Sequence, residues 1–244
     1  AAGYQRLAHL EYLPLPGGDA GVKYPLRIAY AYLRSLLSEQ EWAAETADLW
    51  KGWLKKQEIA MLEQQLAHRY RVFSTSSAGR LFDAVSAVLG ICTQVTYEGQ
   101  AAIELESVAW TWLKDGDIGQ LEQLGLQPYA FEWLEGPVGT PLQVTVKKLF
   151  LGILQDRRAG LENGWIALRF HLSIAAIILQ TVLRLDVGDH SVVINGGVFQ
   201  NKLLTEILLT QCAKRQLRVL RTKNLPPGDG GIAYGQVMVA NAWK

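Results

Sequence analysis

The last third of the chain repeats one local pattern: a short apolar strand, a glycine-rich loop and a helix, twice in succession. The strands are predicted at 191–194 and 217–220, the loops at 195–197 and 225–231, and the helices at 201–214 and 232–242. Alternating strands and helices form α/β folds, in which ligands bind at the carboxyl ends of the strands and at helix N-termini. This pattern therefore predicts both the fold class and the place to look for a site.

The remainder of the chain is predominantly helical. Residues 4–13 alternate polar and apolar side chains, which predicts a strand, and 15–19 predict a turn. Apolar residues then recur at helical spacing from Pro25 to about Tyr70, without any catalytic constellation. Further helices are predicted at 80–89 with Ser77 as N-cap, after a turn at 96–100, at 147–158 and at 163–185, and an irregular surface segment at 114–139.

Composition excludes several protein classes. The chain has 244 residues, 49% of them hydrophobic, and a formal net charge of +1. Disordered chains combine low hydrophobicity with high net charge, so this chain is expected to fold, as one large domain or two small ones. A near-neutral chain is also poorly suited to binding a phosphate backbone, so no nucleic-acid partner is expected.

The chain is predicted to be cytoplasmic and not to contact a membrane. The most apolar stretch, 172–185, is interrupted by polar residues and predicts a buried helix, and the N-terminus lacks a signal-peptide pattern. Cys92 and Cys212 have no zinc-site spacing and are expected to be buried free thiols. The chain begins without Met, which fits processing and fits equally a piece of a longer chain.

Two glycine-rich loops contain candidate binding residues. Gly196-Gly197 follows an apolar strand, which would let backbone approach a ligand closely with helix N–H groups aimed at it, and Asn201 opens the helix. The alternative is a tight turn with Asn201 as a helix cap. Asp229 lies among glycines, where a carboxylate can face a metal ion, and its alternative is an N-cap of the last helix.

Two carboxylates on the preceding helices are the other candidates. Asp83 lies in an otherwise apolar helical stretch, although Asp is a poor helix former, and Glu104 lies on the next helix. Paired carboxylates in a cleft can accept hydrogen bonds from ribose hydroxyls, whereas Glu104 alone would fit an exposed helix position. The four histidines form no close pair, and His171 fits a satisfied core or cleft residue. Motifs of serine hydrolases, zincins and P-loop NTPases are absent from the sequence.

Several longer strings together resemble one family, the hydrogenase maturation carbamoyltransferase HypF, in its C-terminal part. The strings are PLPGGD at 14–19, SSAGRLFDAV at 76–85, YEGQAAIELE at 97–106, GGVFQN at 196–201 and PPGDGG at 226–231. They occur in the family's order, and the resemblance covers residues 4–244. The part they match is related to the tRNA threonylcarbamoyladenosine transferases.

The resemblance implies an α/β fold, specifically an ASKHA (actin/sugar kinase-like) lobe with a helical insertion. It divides the chain into 1–70, a strand, turn and helical insertion, and 71–244, a nucleotide-binding lobe that is incomplete without upstream residues. By the resemblance, one set of residues would bind the nucleotide and another would bind a metal. The nucleotide set is Asp83, Gly99, Glu104, Gly196, Gly197 and Asn201, and the metal ligand is Asp229.

The resemblance also implies a reaction. A carbamoyl group derived from carbamoyl phosphate and ATP would pass from carbamoyl-adenylate to the C-terminal cysteine of a HypE-type partner, on the way to the cyanide ligands of NiFe-hydrogenase. The implied cofactors are ATP and a divalent metal, Mg or an Fe/Zn-type ion. No catalytic residue is assigned to this chain, because the partner would bring the nucleophile.

Departures from the family pattern restrict this expectation. The acylphosphatase-like, zinc-finger and YrdC-like domains are absent, as is the preceding half of the ASKHA domain with its histidine pair. Asp229 would then be a lone metal ligand, too few for a tight site. We therefore expect a C-terminal fragment, or one segment of a longer product, that is inactive alone. Two alternatives stay open: a non-catalytic scaffold that binds a nucleotide or partner, and a sugar- or acetate-kinase-like phosphotransferase.

Overall fold

The computed structural model describes residues 4–113, 116–137, 139–185 and 191–242, with Asp19 described only in its backbone. Residues 1–3 and His190, which entered the sequence predictions, lie outside these ranges. The helices are α1 (Gly18–Gly21), α2 (Pro25–Leu36), α3 (Glu39–Thr46), α4 (Lys56–His68), α5 (Ala78–Val88), α6 (Gln100–Trp110), α7 (Gln120–Gln123), α8 (Lys147–Arg158), α9 (Asn163–Leu185), α10 (Lys202–Lys214) and α11 (Ile232–Ala242). The strands are β1 (Ala8–Leu10), β2 (Leu13–Pro16), β3 (Val72–Thr75), β4 (Glu132–Leu134), β5 (Leu142–Thr145), β6 (Val192–Ile194) and β7 (Val219–Arg221).

The described strands form three small sheets. β5 is the central strand of the first sheet, parallel to β1 and antiparallel to β4. β2 and β3 form an antiparallel pair, and β6 and β7 form a parallel pair. The chain connects β6 to β7 through α10, which is the strand–loop–helix–strand unit predicted from the sequence.

The hydrophobic core is built around α2, α5 and α9. α2 starts at Pro25, where the missing proline N–H would have no helical partner, and it buries Ile28 and Leu33 completely. α2 packs on α5, while α6 and α10 both pack on α9. The helical region before residue 70 therefore contributes α2 to the same core. The division of the chain at residue 70 stays a prediction.

Local signals at the helix ends confirm most predicted elements. The Ser77 hydroxyl accepts a hydrogen bond from the Arg80 N–H and caps α5, as expected. Gly90 ends that helix with φ +70°, and Gly99 precedes α6 with φ +79°, a conformation that glycine adopts without strain. Both strands and both helices of the C-terminal third occur where they were predicted, within two residues at each end.

Three predictions of secondary structure differ from the structure. Of the single strand predicted at 4–13, only Ala8–Leu10 forms strand β1, and Leu13 already belongs to β2. The turn predicted at 15–19 is wrong in its first half, because Leu13–Pro16 is strand β2, paired with β3. Pro16 and the glycines after it suggested a turn, but proline is tolerated on an edge strand of a two-stranded sheet. The segment predicted as irregular at 114–139 contains the short helix α7 and strand β4.

α9 is long and apolar enough to cross a membrane by length and composition alone. Of its most apolar 18-residue window, 61% is buried inside the structure. The same composition is expected of a helix that is packed on most sides by its own protein. α9 is contacted by α6, α8 and α10, and it is the central helix of the core.

The C-terminal helix α11 differs from all of these because none of its residues is buried. Its apolar side chains Val237, Met238 and Val239 are each at least half exposed. Val193 and Leu220, a register pair in β6 and β7, are also exposed on the same face of the sheet. We refer to these five residues, with Ile232 and Tyr234, as the C-terminal apolar surface.

Candidate functional site

Asp83 is a buried carboxyl group in the middle of α5. Its residue is 3% exposed, and its Oδ2 lies 2.7 Å from Arg80 Nη1 in an ion pair one turn back on the same helix. Burial raises the pKa of Asp83 to about 6, because removal from water disfavours the charged form, and the Arg80 guanidinium opposes this shift. The structure thus holds a carboxylate at an apolar position with one cation beside it.

Glu104 lies on α6, next to the turn that contains Gly99. Gln100 connects the two, because its Oε1 accepts from the Thr96 N–H at 2.7 Å and its Nε2 donates to Glu104 Oε1 at 2.8 Å. Glu104 is half-buried. A carboxylate oriented in this way retains acceptor capacity, since only one of its oxygens receives the Gln100 amide.

Cys92 is a buried thiol whose pKa is affected by both carboxylates. Burial raises the pKa of its thiol to about 11, and the negative charges of Glu104 and, more weakly, Asp83 add to the shift. The two carboxylates predicted on α5 and α6 therefore both contribute to the raised pKa of this one thiol. Cys92 and Cys212 are both buried and free, as expected, and burial also raises the pKa of Cys212.

The two glycine-rich loops contact each other at the carboxyl ends of β6 and β7. The Gly196 N–H donates to the Pro227 carbonyl at 2.6 Å. A Cβ on Gly228 would lie 2.6 Å from the Gln200 amide nitrogen and 3.5 Å from Gly197 Cα, so Gly228 packs directly against the Gly196-Gly197 loop. The structure thereby brings Gly196, Gly197 and the Asp229 loop together, although they are more than 30 residues apart in the chain.

Asp229 is exposed at the start of a short 3₁₀ turn that leads into α11. Its carboxylate makes no hydrogen bond or ion pair with any residue that the structure describes. The capping alternative is therefore not supported. A free carboxylate flanked by glycines suits one oxygen ligand of a hard metal ion. In the described part of the chain, however, no three His, Cys, Asp or Glu side chains are grouped closely enough to hold a metal.

Asn201 is buried and caps α10. Its Oδ1 accepts from the Leu204 N–H at 2.8 Å, which confirms the capping interpretation. Its Nδ2 lies 2.9 Å from His171 Nε2 on α9, and His171 is fully buried. His171 is thus a satisfied core residue, as expected, but its partner is one of the predicted site residues.

The N-terminus of α10 is not open to a ligand in the way the sequence suggested. Besides the Asn201 cap, the Glu106 carboxylate on α6 accepts from the Leu203 N–H at 3.0 Å. Trp110 Nε1 donates to the same Glu106 oxygen at 3.3 Å. Two of the amides expected to face a ligand are therefore already bound, and this part of the expectation is wrong.

These residues lie around the meeting point of α5, α9 and the 3₁₀ turn Gly197–Gln200. The turn packs against α5, and the Phe82 ring, next to Asp83, contacts the His171 ring with centroids 5.3 Å apart. A cavity of about 410 Å³ elsewhere, between α9 and the segment 121–128, contains none of the predicted site residues. The same is true of a cavity of about 380 Å³ beside β5.

Four residues that contribute to this arrangement were not singled out from the sequence as site residues. Arg80 and Gln100 stand three and four residues before the carboxylates they bind, a spacing that places side chains on one helix face and could have indicated them. Glu106 and His171 act on α10 from distant parts of the chain, and no local spacing indicates such a contact.

A protein-family model matches residues 1–236 of this chain. The family is described as carbamoyltransferase, Kae1-like domain, second subdomain. Carbamoyltransferase HypF2 of Cupriavidus necator is 35% identical, with 97% of this chain and 30% of that protein covered. The probable carbamoyltransferase HypF of Methanocaldococcus jannaschii is 30% identical, with 95% and 28% covered.

Solved structures agree with the family match. A crystal structure of full-length HypF in a phosphate- and nucleotide-bound form has a TM-score of 0.80 and 27% identity, covering 98% of this chain and 35% of that one. The crystal structure of HypF from T. kodakarensis has a TM-score of 0.78 and 28% identity, covering 98% and 30%. The chain thus spans about a third or less of the length of these relatives.

Proposed function

This chain belongs to the HypF carbamoyltransferase family, as the second subdomain of its Kae1-like domain, and from that premise we propose that it forms the nucleoside-binding part of an ATP-dependent carbamoyltransferase. The proposed reaction transfers a carbamoyl group from carbamoyl-adenylate to the C-terminal cysteine of a HypE-type partner. The transferred carbamoyl group would be the source of the cyanide ligands of NiFe-hydrogenase. The nucleotide- and phosphate-bound state named for one HypF structure supports a nucleotide site in this family.

The observation that carries the proposal is the direct contact of the two glycine-rich loops, the 2.6 Å bond from Gly196 N–H to the Pro227 carbonyl. It places the free Asp229 carboxylate beside the loop that leads to Asn201. Ligands of parallel α/β units bind at this end of the strands. In the proposal, Asn201 and the backbone of Gly196 and Gly197 contact the adenosine.

Asp83 and Glu104 would accept hydrogen bonds from the ribose hydroxyls. A carboxylate accepts two such bonds well, because both its oxygens are acceptors when it is ionised. The Arg80 ion pair favours the ionised form of Asp83 against the cost of burial. Gly99 has no side chain to block approach to this edge, and its φ of +79° is accessible to glycine without strain.

The reacting nucleophile would come from the partner. Its thiolate sulfur forms a bond to the carbamoyl carbon, the bond from that carbon to the phosphate oxygen breaks, AMP leaves with the electron pair, and the thiol proton passes to solvent. Cys92 and Cys212 are unsuited to this step because both are buried and their thiols have raised pKa values.

A metal ion, when bound, would polarise the phosphate or carbamoyl oxygens. The exposed Asp229 carboxylate fits the role of one ligand. Since the described chain groups no further acidic, histidine or cysteine ligands with it, the remaining ligands would have to come from elsewhere in a complete HypF protein.

Calorimetric titration of Mg-ATP tests the proposed site in this chain. We expect saturable binding that Asp83→Ala weakens at least tenfold. Glu98→Ala is the matched control, because it removes an exposed carboxylate one residue before Gly99 and should bind as the wild type does. If the chain is instead a scaffold that docks a partner without using a nucleotide, Asp83→Ala should leave partner docking unchanged. Equal Mg-ATP affinities of the wild type and both variants would contradict the proposal.

If the isolated chain does not bind Mg-ATP, the same variants can be compared after this chain replaces the matching segment of the Cupriavidus necator HypF2. The readout is carbamoyl-phosphate-dependent cleavage of ATP to AMP. Loss of cleavage with Asp83→Ala, but not with Glu98→Ala, supports the site. Unchanged cleavage in both contradicts it.

A further inference from the structure

His171 is a fully buried imidazole in the middle of the core helix α9. Its ring forms a three-ring cluster with Phe82 and Phe170, at centroid distances of 5.3 and 5.8 Å and nearly perpendicular to both. Its two nitrogens are both hydrogen-bonded. Nδ1 lies 2.7 Å from the Ala167 carbonyl, and Nε2 lies 2.9 Å from Asn201 Nδ2.

These partners determine which nitrogen carries the proton. A carbonyl oxygen can only accept, so the proton must be on Nδ1. Burial lowers the pKa of His171 to about 4, so the ring is neutral near pH 7. A neutral imidazole with its proton on Nδ1 has a lone pair on Nε2. Nε2 is therefore an acceptor, and the group that faces it has to be a donor.

This requirement determines the orientation of the Asn201 side-chain amide. Its NH₂ group donates to His171 Nε2, while its carbonyl oxygen accepts from the Leu204 N–H at 2.8 Å. A 180° flip of the amide would place the oxygen against the imidazole lone pair and the NH₂ group against the Leu204 N–H. Because all three groups are buried, the flip would lose two hydrogen bonds without replacement by water.

In the fixed orientation, the Asn201 amide retains one unused N–H and one unused oxygen lone pair. We propose that His171 is a positioning residue, which fixes the Asn201 amide so that its second N–H is presented as a donor to the bound nucleoside. This inference rests on the proposed function for the role of Asn201 at the nucleoside, but the orientation itself does not. An acceptor on the ligand, such as a ribose oxygen or a purine ring nitrogen, is the group that matches.

A purely structural histidine would be replaceable without consequence for ligand binding, once loss of stability is allowed for. Three variants separate the two roles. His171→Gln retains an acceptor where Nε2 lies, because the terminal amide oxygen of Gln reaches the same position. His171→Leu fills the space without an acceptor. Leu168→Ala, a fully buried position on the same helix, controls for loss of packing alone.

The first measurement is heteronuclear NMR of the full chain. We expect the wild type and His171→Gln to show a hydrogen-bonded Asn201 amide proton and a Leu204 N–H protected from exchange. In His171→Leu, the Asn201 amide should lose its distinct hydrogen-bonded proton and exchange should be at least tenfold faster at Leu204. Imidazole nitrogen shifts should show the proton on Nδ1. Unchanged Asn201 and Leu204 signals in His171→Leu overturn the proposal.

The second measurement is Mg-ATP affinity at a temperature where every variant is folded. We expect His171→Leu to lose at least tenfold, His171→Gln to stay within threefold of wild type, and Leu168→Ala to stay within twofold. Equal affinities of His171→Leu and Leu168→Ala overturn the proposal even if the amide reorients. If the isolated wild type does not bind Mg-ATP, the affinities are measured in the Cupriavidus necator HypF2 chimera described above. Failure to bind there too contradicts the proposed function, while the NMR result decides separately whether His171 orients Asn201.

Discussion

Asp83 illustrates at the residue scale how the fold retains a group that costs stability. The folded protein holds its carboxyl proton more tightly than the unfolded chain does, because burial raises its pKa from 3.8 to about 6. The protonated Asp83 carboxyl therefore contributes its full stabilisation below pH 3.8, and this stabilisation is lost as the pH rises through about 6. A buried, mostly ionised carboxylate at neutral pH is unfavourable for folding alone, which fits a residue that serves a ligand.

Asp83→Asn removes this titration. The difference in unfolding free energy, Asp83→Asn minus wild type, should increase by roughly 1 to 2 kcal/mol from pH 5 to pH 8. The wild type loses stability over this range as Asp83 ionises, and one pKa unit corresponds to about 1.4 kcal/mol. Urea unfolding at several pH values measures the difference. The titration of His171 is common to both proteins and cancels. A difference between the two proteins that does not change with pH would contradict the assigned burial of Asp83.

At the scale of the elements, α10 is fixed at its N-terminus by two other parts of the fold. Glu106 on α6 binds the Leu203 N–H, and His171 on α9 holds the Asn201 cap. The first turn of a helix has backbone N–H groups without helical partners, so each bond supplied from another element stabilises both the helix and its position. The loop before α10 is thereby held against α5 and α9.

Glu106→Ala is expected to lower the free energy of unfolding by about 1 to 2 kcal/mol, the usual cost of losing a helix cap or a charge-assisted hydrogen bond. Chemical denaturation measures it. Glu206→Ala, on the same helix α10, is the control, because Glu206 makes an exposed 3.6 Å ion pair with Lys202 and should cost less than about 0.5 kcal/mol. Equal losses in the two variants would argue against the cap from α6.

At the scale of the whole molecule, the C-terminal apolar surface is the main departure from a closed fold. Parallel sheets normally have both faces covered, and two strands alone form a marginal sheet. Here one face of β6 and β7 exposes Val193 and Leu220, and α11 adds a further row of exposed apolar side chains. Exposed apolar side chains in such numbers promote association with other protein surface.

We expect the chain on its own to self-associate through this surface. Val193→Lys combined with Val237→Glu should shift it toward the monomer while changing the thermal midpoint little, because both side chains are about two-thirds exposed. Sedimentation velocity across a concentration series measures this. Met61→Lys, at a half-exposed position on α4, is the control, and an equal effect of that variant would contradict the role of the C-terminal surface.

We also expect the chain alone to show no carbamoyl transfer. It spans 30% of the length of Cupriavidus necator HypF2, and the free Asp229 carboxylate has no grouped metal ligands in the described residues. The assay supplies carbamoyl phosphate, Mg-ATP and a HypE-type acceptor, and measures label in the acceptor. Robust turnover would show that this part of the family's protein is sufficient.

Features that depend on neighbouring residues were predictable from the amino-acid sequence alone. The Ser77 cap, the left-handed Gly90 and Gly99, the core helix α9 and the two strand–loop–helix units all follow from local periodicity and end signals. The quoted motifs also pointed to the HypF family, which the family match over residues 1–236 confirms.

Strand pairing and the hydrogen bonds between elements depend on the tertiary structure. Strand β2 exists because β3 pairs with it, although its prolines suggested a turn. The N–H groups of α10 were expected to face a ligand, but Glu106 reaches Leu203 from 97 residues away and His171 holds Asn201 from 30 residues away. Hydrogen bonds between distant residues leave no spacing in the sequence. The tertiary structure is therefore needed to tell which backbone N–H groups at a helix N-terminus are free to bind a ligand.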